Sequence, residues 1–205
     1  VYVSVMTIIS SVRQMIETPI WSISEGSSPV ISYNYGAKRP KKVIEAWITM
    51  SVLALIYSLI AWSVILFAPK FLIGIFSSDK SLMIDTVPAM KLYFSAFIFM
   101  LFQYTGQTIF KSLNKKKQAI FFSILRKVII VVPMTYMFPY VFHMGSNGVF
   151  MAEPVSNVIG GSLCFIVMLL TVLPELKQMN SDLSSETDAS KESLSPIFVT
   201  LVAAV

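Results

Sequence analysis

Arg13, Glu17, Glu25, Gln103, Gln107, Glu153 and Asn157 all lie inside stretches of sequence that are otherwise almost wholly apolar. An ionisable side chain in a hydrocarbon interior costs several kcal/mol, so one that persists there usually faces water, a partner group or a bound ion. On a helix, successive residues turn by 100°, which brings Ser10, Arg13, Glu17, Ser24 and Ser28 within about 60° of each other, with Gln14 and Glu25 at the border of that stripe. Arg13 and Glu17 are four apart and pair on the helix surface, either as a structural lock near the outer mouth or as part of a site. Glu25 precedes Gly36 by a helical rise of about 16 Å, close to mid-depth of a bilayer. That depth suits it to bind a proton or a cation, the alternative being a hydrogen-bonded structural glutamate.

Two further polar faces have the same spacing. Gln103, Gln107 and Lys111 follow one another at four-residue intervals, with Tyr104 and Thr108 beside them. They line a cavity or hydrogen-bond a neighbouring helix. Glu153, Asn157 and Gly160 share a face of a later stretch, and Gly160 with Gly161 permits close helix packing.

The elements that must hold these groups follow from composition. The chain of 205 residues is 55% hydrophobic and 13% charged, with mean hydropathy +0.72, far from the charge content of ordinary soluble domains. An all-α integral membrane fold is expected. A span needs about 20 residues to cross a hydrocarbon core of ~30 Å, and five segments qualify: residues 6–35, 46–68, 92–110, 119–142 and 148–173. Residues 174–205 read as a polar, Ser-rich and disordered tail with a short apolar end, "IFVTLVAAV", too short to span.

Lys38, Arg39, Lys41 and Lys42 follow the first span, and Lys111, Lys115, Lys116 and Lys117 follow the third. Basic residues are retained on the cytoplasmic side, so these loops and the tail are expected to face the cytoplasm of a multi-pass cell-membrane protein. Arg126 and Lys127 are expected to snorkel back to the same interface. The basic residues cluster between apolar spans instead of along one face, which argues against nucleic acid as a partner.

Other chemistry is missing from the sequence. There is one cysteine and one histidine, and no GxxxxGK[ST], GxGxxG or HExxH pattern, so neither a metal centre nor ATP hydrolysis is supported. Catalytic residues and a cofactor are not expected. An ion-driven transporter is the class that remains.

Three segments carry a family resemblance: "GSSPVISYNYGAKRPKKV" at 26–43, "SLNKKKQAIFFSILRKVIIVVP" at 112–133 and "GSNGVFMAEPVSN" at 145–157. In order and spacing they resemble the multidrug and toxic compound extrusion (MATE) family. The resemblance implies two six-helix lobes that exchange Na+ or H+ for amphipathic cationic drugs. The five spans, within residues 1–173, would then be helices eight to twelve of such a transporter, a C-terminal lobe without its first helix. Its partners would be the bilayer, the drugs, and the missing N-terminal lobe and first helix. The first residue, Val1, fits that expectation of a fragment. The family often has Asp where this chain has Asn157. On this reading Glu25 is the ion-coupling candidate, and Arg13, Glu17, Gln103, Gln107, Glu153 and Asn157 are cavity-lining candidates. Alternatives are a lipid-linked oligosaccharide flippase of related architecture, a non-catalytic membrane subunit, or a membrane enzyme acting on lipids. A flippase would favour several cavity arginines for a pyrophosphate, and an enzyme an acidic loop pair such as DxxxD, which the sequence lacks.

Overall fold

The computed structural model describes the backbone of residues 2–203 except 78 and 144, and the side chains of residues 3–185 except 78, 144 and 146. Every regular element among these residues is helical. The order is α1 (Tyr2–Gly36), α2 (Pro40–Phe67), α3 (Pro69–Phe76), α4 (Lys80–Tyr93), α5 (Phe97–Ser112), α6 (Lys116–Ile124), α7 (Val132–Tyr140), α8 (Gly145–Ser156) and α9 (Ser162–Ala203). A π-helical turn, Leu125–Val131, joins α6 to α7, and a second, Asn157–Gly161, joins α8 to α9.

Local sequence sets the boundaries. Proline stands at the first position of α2 and α3, where its missing N–H is not needed. The Asp79 side chain caps α4 by accepting from the backbone N–H groups of Ser81 and Leu82. The two basic loops are built alike. Lys38 (φ 52°) and Asn114 (φ 60°) take the left-handed conformation that closes a helix. The next N–H reaches five residues back, Arg39 to Asn34 O at 2.9 Å and Lys115 to Phe110 O at 2.7 Å.

Both π turns sit beside prolines. Pro133 has no N–H for the Ile129 carbonyl and its ring crowds it, and the wider turn just before it relieves that conflict. Pro154 stands on the other side of its π turn, three residues before Asn157.

Three stretches are long and apolar enough to cross a membrane: Pro40–Phe67, Lys116–Tyr140 and Asn147–Ser185. The pair α4 and α5, bent by 51°, makes a fourth if counted as one span. α1 falls outside that set, consistent with the polar stripe along it. The expected unbroken span 92–110 is therefore corrected: the helix breaks at Phe94–Ala96. Tyr93, Phe94 and Phe97 pack edge to face there, and the Trp62 indole N–H donates to the Phe94 carbonyl at 3.0 Å. The same carbonyl also accepts from the Phe97 N–H at 3.1 Å, so the bend keeps its backbone acceptor paired from two sides.

A second correction concerns the tail. α9 continues without a break past Leu173, because Val172 and Leu176 extend its buried apolar face and both are under 4% exposed. The terminal "IFVTLVAAV" lies outside the residues whose side chains are described.

Two apolar cores result. One gathers Val5, Ile9, Val12, Ile16 and Ile20 of α1 against Ile65, Ile73, Met90 and Phe94. The other gathers Ile31, Val43, Met50, Phe110, Phe122 and Met168. Along α1 the turn positions between Ile20 and Ile31 are Ser24, fully buried, and Ser28. Ile23 packs against both cores beside these serines, while Ile48, Val52, Ile56 and Ile60 of α2 stay exposed on its outer face.

Candidate functional site

The i, i+4 spacing of Arg13 and Glu17 forms the expected pair, Arg13 Nε donating to Glu17 Oε1. The rest of the guanidinium is also engaged. Its Nη1 donates to the Tyr93 hydroxyl at 2.6 Å, and its Nη2 lies 2.8 Å from Glu153 Oε1. The same Glu153 oxygen accepts from Arg126 Nη2 at 2.5 Å. On the other side, the Tyr104 hydroxyl donates to Glu17 Oε2 at 3.2 Å. Four charges therefore alternate in sign, Glu17, Arg13, Glu153 and Arg126, and sum to zero.

The packing explains how these groups meet. Tyr93 ends α4 at the helix break, so its ring turns toward α1. Arg126 crosses Gly160 so closely that a Cβ there would stand 3.1 Å from the arginine Cβ and Cγ. A Cβ at Gly161 would run into the Phe99 carbonyl oxygen. Close packing at both glycines, one expected use of them, is what brings the first π turn, α5 and the second π turn together. Arg126 does not snorkel to the interface as expected, and only 5% of its side chain is accessible. The Glu153 carboxylate supplies inside the bundle the counter-charge that water would supply outside.

Beside this network α1 borders a cavity of about 230 Å³, lined by Arg13, Gln14, Glu17, Thr18 and Trp21 together with Tyr104. One carboxylate, one guanidinium and two aromatic rings on its wall suit an amphipathic ligand. Arg13 and Glu17 lie on the wall as expected, and Glu153 is one bond behind it.

Gln103 and Asn157 are each 3% exposed and lie within the packing instead of on this cavity's wall. Gln103 Nε2 donates weakly to the Phe122 carbonyl at 3.5 Å. Gln103 Oε1, Asn157 Oδ1 and Arg126 Nε are buried without a protein partner.

Glu25 lies elsewhere. It pairs with Lys111 of α5, both side chains being about one-third or more exposed, at 33% and 43%. Gln107, one turn before Lys111, has a buried Nε2 without a protein partner. Below that pair the Ser28 and Ser112 hydroxyls meet at 2.8 Å, and Ser32 Oγ donates to the Ser112 carbonyl at 3.0 Å. At the end of α1, the Tyr35 hydroxyl donates to Glu175 Oε1 at 2.5 Å and Lys115 Nζ reaches Glu175 Oε2 at 2.6 Å. α9 is thereby tied to both basic loops. Among the described residues no group of three or more His, Cys, Asp or Glu is placed to hold a metal ion.

Sequence reasoning missed Arg126 and Tyr93 as members of the site, while Tyr104 stood beside Gln103 and Gln107 on a face that could line a cavity. The available signal was charge balance: Arg126 and Glu153 are opposite charges inside consecutive apolar stretches.

The family model described as MatE matches residues 1–137. Among solved structures, the fold is similar to the inward-facing and the outward-facing conformation of a multidrug resistance MATE family transporter of the MOP superfamily. The former is 18% identical with TM-score 0.75, covering 87% of this chain and 40% of that one. The latter is 17% identical with TM-score 0.76, covering 87% and 39%. A MOP superfamily transporter from Pyrococcus furiosus, whose binding pocket is described as of reverse polarity, is 18% identical with TM-score 0.76 over 87% of this chain and 39% of that one. No curated protein matches. The chain spans about 40% of the length of these solved transporters.

Proposed function

The chain belongs to the MatE family, and on that footing we propose that it is part of a multi-pass membrane transporter exporting amphipathic cationic compounds in exchange for Na+ or H+. The observation that carries this reading is the cavity on α1, whose wall carries Glu17 together with Trp21 and Tyr104. A carboxylate and aromatic rings on one wall attract an organic cation through charge and ring face together.

On this reading the chain serves as one lobe, its five spans corresponding to helices eight to twelve and its basic loops and α9 extension facing the cytoplasm. Alternating access comes from rocking against an opposing lobe. The substrate occupies the cavity at Glu17, and the coupling ion competes for Glu25, whose Lys111 partner is accessible enough to be displaced. The flippase alternative is less well supported, since the two arginines inside the bundle, Arg13 and Arg126, are already held by carboxylates. A pyrophosphate would need them free.

Expression together with an opposing lobe of a MatE family transporter tests the proposal. Ethidium efflux driven by a Na+ or proton gradient is expected, with Glu25→Gln weakening it. Efflux that is unchanged in that variant removes Glu25 from the mechanism.

A further inference from the structure

We infer that Arg13 is a tethered internal cation that occupies the cavity's carboxylate in the empty protein and thereby sets the site's selectivity for cationic ligands. The inference rests on the reading of the Glu17 cavity as a substrate site, and it adds a residue that tunes what that site accepts. Glu17 is the one carboxylate on the cavity wall among the described residues. Each of its oxygens already has an internal donor, Oε1 from Arg13 Nε and Oε2 from the Tyr104 hydroxyl. A carboxylate oxygen can accept a second bond, so an arriving cation meets a carboxylate whose charge is already shared with Arg13 and must compete with it.

The geometry holds Arg13 in place while Glu17 yields. When the Glu17 carboxylate turns from Nε toward a ligand, the guanidinium keeps its bonds through Nη1 to Tyr93 and through Nη2 to Glu153. Its charge stays paired, so release does not strand a buried cation, which would be the costly outcome. Tyr104 has only its single bond to Glu17 and no charge to compete with. Arg13 thus raises the threshold for binding by offering the carboxylate a local cation at high effective concentration. A weak organic cation is turned away, and one with enough ring contact to Trp21 and Tyr104 is admitted. With Arg13 present the wall is neutral, and with it removed the wall carries one negative charge.

The test is equilibrium binding of ethidium to the purified chain in detergent, followed by fluorescence, with the uncharged probe N-phenyl-1-naphthylamine in parallel. Arg13→Gln is expected to bind ethidium about tenfold more tightly, since a competing charge beside the carboxylate is gone. The uncharged probe is expected to bind as before, and Arg13→Lys to behave like the parent. Adding Glu17→Gln to Arg13→Gln is expected to cancel the gain. Should Arg13→Gln not fold, Tyr93→Phe decides. It removes a bond that holds the guanidinium when Glu17 turns to a ligand, without altering charge, so ethidium alone is expected to bind about threefold more weakly. Ethidium affinity equal to or weaker than the parent's in folded Arg13→Gln, or no weaker than the parent's in Tyr93→Phe, overturns the inference. If Glu17→Gln alone still loses ethidium, the cavity reading survives that result. If no form binds ethidium at all, that reading fails and the inference fails with it.

Discussion

Glu17 and Glu25 lie two helical turns apart on α1, and both are paired with a cation, yet their surroundings differ. Glu17 belongs to a chain of four alternating charges to which α1, α8 and the first π turn contribute, with hydroxyls from α4 and α5. Glu25 has a single partner, Lys111, on one neighbouring helix, and that lysine is 43% exposed. A charge within a network is positioned by every helix that feeds it. A charge with one accessible partner depends on that partner alone. The comparison sets a site framed by several helices against a single accessible ion pair.

Removing the centre of the network is expected to have the largest effect. Glu153→Leu leaves Arg126 buried and Arg13 short of one carboxylate, and breaking a buried pair in this way costs about 3–5 kcal/mol. A thermal melt in detergent followed by tryptophan fluorescence measures it, and a melt within a degree of the parent's would show that the network does not hold the helices. A smaller loss is expected when the packing behind the network is disturbed. Gly161→Ala sets a Cβ against the Phe99 carbonyl, and overpacking of this kind costs about 1–3 kcal/mol. The same melt should fall, and Ala at Gly26, which has open space around it, should leave it nearly unchanged. The smallest effect on stability belongs to Glu25→Gln. An accessible ion pair contributes about 0–1 kcal/mol, so a melting loss as large as that of Glu153→Leu would erase the distinction between the two regions.

How much of this was legible beforehand depends on whether a contact is local. The Arg13–Glu17 pair follows from a spacing of four, and the all-helical membrane fold follows from apolar runs and scarce charge. The polar stripe of α1 was also readable, because it is a property of one helix. The link from Arg13 to Glu153 and Arg126 was not, since it depends on how three distant segments cross. Arg126 looked like an interfacial arginine when judged by depth along its own helix. What holds it inside is a carboxylate 27 residues away and a glycine that lets its stem pass. Nor did the apolar run at 92–110 announce its break. The residues at the bend, Phe94, Ser95 and Ala96, include neither Gly nor Pro, and the donor that stabilises it, Trp62, comes from α2. The continuation of α9 past Leu173 was hidden for a related reason: Ser-rich composition masked the spacing of Val172 and Leu176, and the Glu175 contacts to Tyr35 and Lys115 are tertiary.

The central claim is that the two glutamates divide the work, Glu17 meeting the organic cation and Glu25 the coupling ion. Calorimetric titration of tetraphenylphosphonium into the purified chain, across a series of Na+ concentrations and pH values, tests it with Glu17→Gln and Glu25→Gln side by side. Glu17→Gln is expected to lose at least about tenfold in affinity under every condition, the scale set by one lost charge contact. Glu25→Gln is expected to keep its affinity while its dependence on Na+ or pH disappears. Equal losses in both variants, or full affinity in Glu17→Gln, would contradict the account.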